Sequence, residues 1–131
     1  MSKSIQSTID SGSPYTDNLG YFRIEHAEDG LYTIIANVEN SVDMKKLEDR
    51  LKESVKKISE NYRVFWHSIS PGKSSSSIEV VYQEEGKGTR PIKAVIHKSV
   101  GVQSIKFVRY SPKIEKDVKL ADAIFSILAE Q

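Results

Sequence analysis

The chain of 131 residues contains no cysteine. That one absence removes disulfides, thiolate metal sites and cysteine nucleophiles together. No apolar run approaches the ~18–20 residues of a membrane span, so no membrane partner is expected. The opening stretch, MSKSIQSTIDSGSPYTDNLG, lacks the apolar segment of a secretory leader. Neither end carries a lipidation motif. Excess charge is missing too: 19 Lys and Arg against 18 Asp and Glu leave a net charge of +1. That argues against a histone-like basic protein and against an acidic solvating tail. These absences point to a soluble protein of the cytoplasm or another intracellular compartment.

What is present suits one domain, because most domains run to ~100–150 residues. Residues 1–19 are dominated by Ser, Thr, Gly, Pro, Asp and Asn. Ile5 and Ile9 look too sparse to build a helix face, so this stretch reads as a flexible polar arm ahead of a domain at 20–131. Tyr21 to Val38 reads as a β-hairpin. A three-residue turn, Glu28-Asp29-Gly30, pairs Ala27 with Leu31 and Ile24 with Ile34. It gathers Phe22, Ile24, Tyr32, Ile34 and Ala36 on one face.

Residues 42–61 predict a helix. Met44, Leu47, Leu51, Val55, Ile58 and Tyr62 recur at steps of three and four, opposite a mixed-charge face. Ser41 or Asn40 is the expected cap. Four strands follow, at Arg63–Ile69, Ile78–Gln83, Ile92–Lys98 and Val102–Tyr110, separated by turn-forming segments at 70–77, 85–91 and 98–101. A last helix is expected from Ser111-Pro112 to the C-terminus. Its apolar surface is broad, with Leu120, Ile124 and Ile127 widening the stripe of Ile114, Val118, Ala121, Phe125 and Leu128. The order is ββαββββα, an α+β fold with an antiparallel sheet and two helices packed on one face. In element order alone it resembles roadblock-type and TATA-binding-protein-like folds, which implies nothing about function.

No motif carries recognisable chemistry. Gly72-Lys73-Ser74 resembles the end of a phosphate-binding loop, but His67 stands where its first glycine belongs and a strand follows in place of a helix. Gly86-Lys87-Gly88 starts a dinucleotide fingerprint that Pro91 breaks. His26, His67 and His97 lie in predicted strands without metal-ligand spacing. By alternation His26 falls on the helix-facing side and the other two on the opposite side. No nucleophile elbow is present. No catalytic residue, metal ligand or cofactor is assigned.

Two surface patterns remain. Residues 86–114 contain Lys87, Arg90, Lys93, Lys98, Lys106, Arg109 and Lys113 and no carboxylate. Residues 1–42 hold six acids against two bases. A basic hairpin of this kind grips phosphates or an acidic protein surface. Alternation also predicts a sheet face turned away from the helices and too apolar for water alone, carrying Phe65, Val81, Val95, Val108 and Tyr110 among Lys93, Lys106, His67 and His97. With Ile124 and Ile127 of the last helix, these are the expected interface residues. The favoured reading is a non-enzymatic, homodimeric assembly module, binding another protein or a second copy through the outer sheet face or the last helix. The alternative is a nucleic-acid-binding protein using the basic hairpin at 86–113. A small enzyme with a site built from scattered residues is the third reading.

Overall fold

A computed structural model describes residues 2–68 and 75–130. Its elements are α1 (Ser2–Ser11), β1 (Tyr15–Asp17), β2 (Gly20–Glu28), β3 (Leu31–Val38), α2 (Met44–Ile58), β4 (Tyr62–Ser68), β5 (Ser76–Tyr82), β6 (Ile92–Ser99), β7 (Val102–Tyr110) and α3 (Glu115–Ala129). The strands form one antiparallel sheet in the order β1-β2-β3-β7-β6-β5-β4. The expected α+β architecture is present, with three helices in place of two and seven strands in place of six. The Gly72-Lys73-Ser74 segment lies outside the described residues.

The polar start of the chain is the first correction. Residues 2–11 form a helix against β1, β2 and α3. Ile5 is fully buried and Ile9 packs on the same core. Two isoleucines one turn apart suffice because the sheet and α3 supply the rest of the apolar surroundings. The polar neighbours are satisfied locally: the Thr8 hydroxyl donates to the Ser4 carbonyl, and the Ser4 hydroxyl donates to Asp17 at 3.0 Å.

The β2–β3 register also differs in its cause. Ile24 does pair with Ile34, but Glu28 pairs with Leu31 across a two-residue Asp29-Gly30 turn. Both turn residues have positive φ, 54° and 74°, the geometry that matches strand twist in a tight hairpin. The residue count is recovered by a bulge at Glu25, beyond which His26 pairs with Thr33. His26 therefore leaves the helix-facing side. Two further bulges have the same effect. Lys93 is the extra residue between Ala94, paired with Val80, and Ile92, paired with Val81. In β7, Val108 and Arg109 together oppose Thr33, and Arg109 takes a φ of 52°.

Helix α2 buries Met44, Leu47, Leu51 and Val55. Asp43, not Ser41 or Asn40, caps it by accepting from the Lys46 amide. Helix α3 begins at Glu115, later than expected, after a turn at Ser111–Lys113. Asp117, in its first turn, reaches back to accept from the Ser111 amide at 2.9 Å and so ties the helix start to the end of β7. Phe125 lies edge-on to Phe22 at 5.1 Å and tilted against Phe107 at 5.7 Å. This aromatic cluster joins α3 to both halves of the sheet.

Gly20 opens β2 with φ 152°, and a Cβ there would stand 1.6 Å from the Asn37 carbonyl oxygen. Only backbone could yield. Gly20→Ala is expected to destabilise the fold by roughly 3 kcal/mol or more in urea denaturation. Gly30→Ala, in an open turn, is expected to cost only about 1 kcal/mol from its positive φ.

Candidate functional site

Helix α3 touches both other helices, and the helices lie together on one side of the sheet. The other side has no layer of its own among the described residues. Strand register arranges its side chains in rows. One row runs Arg23, Ile35, Lys106, Val95, Glu79, Phe65 across six strands. The next runs Tyr21, Asn37, Ser104, His97, Ser77, His67. Ile35, Val95 and Val108 are half-buried, and Phe65 is 38% exposed. Lys106 pairs sideways with Glu25 at 3.1 Å, and Glu79 lies 3.3 Å from the His67 ring. In this row apolar ribs alternate with charged side chains.

Among the expected interface residues, Phe65, Val95 and Val108 lie on this face and are accessible. Four do not serve. Ile124 and Ile127 are buried inside the chain, so the breadth of α3 is explained by its own core. Tyr110 is buried beside Phe107, because the β7 bulge adds one residue and turns it toward the helices. Val81 is only 4% exposed, paired with Arg63 on one side and Ile92 on the other.

The seven basic residues do not form one patch. Lys106 stands on the open face. Lys98 reaches the Val42 carbonyl at 2.6 Å. Lys87 pairs with Glu84 at 2.8 Å in the β5–β6 loop. Arg90 and Lys113 are exposed in connecting segments. The bulge turns Lys93 from the expected outer face to the helix side, where it meets the buried Asp117 at 3.3 Å and donates to the Arg109 carbonyl at 3.0 Å. Lys93, Arg109 and Lys116 line a pocket of about 320 Å³ with Tyr62, Tyr82, Ile92 and Ile114. In it the Tyr82 hydroxyl accepts from Asn61 at 3.4 Å and from Lys116 at 3.1 Å, and those bonds hold the phenol below its ordinary value.

Two histidine–carboxylate contacts occur among the described residues, His26 with Glu28 and His67 with Glu79, both at 3.3 Å and neither in a buried cleft. No group of three His, Asp or Glu among the described residues is placed to hold a metal ion. No described helix is long and apolar enough to cross a membrane. Comparison with known proteins gives no matching family model, no matching curated protein and no matching solved structure.

Sequence reasoning missed Ile35 and Glu79. Both were readable: Ile35 lies between the outward Thr33 and Asn37, and Glu79 alternates with Val80. The Lys93–Asp117 pair was not readable, since it depends on a bulge that no residue type announces.

Two outcomes follow from these environments. Lys93→Met strands a buried carboxylate and is expected to cost about 3 kcal/mol in denaturation experiments. Lys106→Met breaks an exposed pair and is expected to cost under about 1 kcal/mol. Burial first, then the carboxylates of Asp122 and Asp117, push the Tyr110 phenol up to about 12. Because the folded state holds this proton more tightly, the stabilisation is complete below the ordinary phenol value near ~10 and is lost as pH rises above it. Denaturation midpoints should fall between pH ~10 and ~12; Tyr62, whose phenol burial also raises, adds to the fall, and Tyr110→Phe should lessen it.

Proposed function

We propose that the protein is a non-enzymatic assembly module whose working surface is the open face of its sheet. The observation that supports this is the continuous row Ile35, Lys106, Val95, Glu79, Phe65, left without a helix layer in a fold whose described helices all lie on the other face. Half-buried apolar ribs with aromatic and charged punctuation suit a protein partner. Nucleic acid is the weaker reading, because the basic residues point to several parts of the surface and three of them are engaged by carboxylates. A phosphate backbone needs cations along a common track.

Position-specific photo-crosslinking in cells expressing the protein tests this. A benzoylphenylalanine at Val95 should give a discrete protein adduct, and one at Lys56, on the solvent side of α2, should give none. Equal adducts from both positions, or none from Val95, would remove the assembly reading.

A further inference from the structure

The open face carries a pattern that selects its own occupant. Counting outward from Val95 on β6, the row has Lys106 on one side and Glu79 on the other, then Ile35 and Phe65. Neighbouring strands are ~4.8 Å apart, so each pair is equidistant from Val95, at ~5 and ~10 Å. These five positions are a palindrome of polarity with opposite charge in the two arms: apolar, positive, apolar, negative, apolar; Arg23, beyond Ile35, lies outside it.

Building on the assembly reading above, we infer that the partner is a second copy of this chain, packed face to face about a twofold axis lying along β6 at Val95. A symmetric interface must be self-complementary: what one residue meets, its counterpart meets in return. Rotation about an axis along β6 reverses the row. Lys106 then faces the partner's Glu79, Glu79 faces the partner's Lys106, Ile35 packs on the partner's Phe65, and Val95 meets the partner's Val95. The neighbouring row also closes, with Ser104 opposite the partner's Ser77 and His97 opposite the partner's His97. The other in-plane choice, an axis across the strands, keeps each strand over itself. It would set Lys106 on the partner's Lys106 and Glu79 on the partner's Glu79. Charge therefore decides between the two. The chosen axis also leaves the strands of the two sheets nearly aligned, the commoner way for sheets to stack, ~10 Å apart.

The lateral charges fit the same arrangement. Glu25 beside Lys106 and His67 beside Glu79 make each arm a small mixed cluster, not a lone charge. The central patch spans five strands and about three outward rows, roughly 19 by 14 Å. At about 270 Å² per copy this patch is smaller than the ~800 Å² per partner of a standard interface, so the dimer should be weak and depend on concentration.

Sedimentation equilibrium tests both the partner and the axis. The wild-type chain should self-associate. Lys106→Glu and Glu79→Lys should each weaken association by roughly ten-fold or more, since each places like charges together twice per dimer. The double variant should recover most of the loss. Circular dichroism should show all three variants folded, because both charges are exposed or half-buried. A second readout uses the absence of cysteine from the chain. At ~10 Å between sheets a disulfide cannot bridge the axis, but a short bismaleimide can. Val95→Cys should crosslink to itself. Ile35→Cys should not crosslink to itself but should crosslink to Phe65→Cys in a mixture. Single charge variants without effect, or a double variant no better than the singles, would overturn the axis. A strictly monomeric wild type would overturn self-association; if Val95 still gave a crosslink to a different protein, only the choice of occupant would fail, whereas a crosslink to nucleic acid would overturn the assembly reading as well.

Discussion

The packing of Phe125 against Phe22 and Phe107 ties α3 to both halves of the sheet, and the rest of the molecule follows from that contact. It draws α3 to the centre of one face. Helices α1 and α2 then flank it there, the first burying Ile5 and the second Leu47 and Leu51. All three apolar helix stripes are spent on the same side of the sheet. The opposite side keeps Ile35, Val95, Val108 and Phe65 with no helix to cover them. A sheet half-covered in this way either presents a polar face to water or meets another molecule. The proposed function takes the second course, on the apolar positions Ile35, Val95 and Phe65 of one row.

Bulges explain most of the distance between the pattern of residues and the folded sheet. Strand positions, the α2 stripe and the pairing of Ile24 with Ile34 could be read directly, because period-two and period-3.6 burial is a local property. Parity counting fails wherever one strand carries an extra residue. At Glu25 it turns His26 outward, at Lys93 it turns a lysine inward, and at Val108-Arg109 it turns Tyr110 into the core. None of these positions holds a glycine or proline that would mark it. Helix α1 was missed for a different reason. Its apolar stripe is only two residues wide, and its stability comes from the surface it lands on.

The charge pattern shows the same divide. A stretch from 86 to 114 without a carboxylate looked like one basic surface. In space, carboxylates from outside it enter: Asp117 from α3, Glu25 from β2 and Glu84 from the start of the β5–β6 loop. Segregation along the chain became pairing across the sheet. Ile124 and Ile127 are buried inside the chain, where α3 packs on α1, α2 and β7.

The central claim is that the open face is covered when chains meet. Solvent paramagnetic relaxation measured on methyl groups tests it most directly. As protein concentration rises, the methyls of Ile35, Val95 and Val108 should lose their relaxation by a soluble gadolinium chelate. Those of Val100 and Val102, 81% and 54% exposed at the β6–β7 turn, should keep it. Equal accessibility of both sets at every concentration would contradict the account.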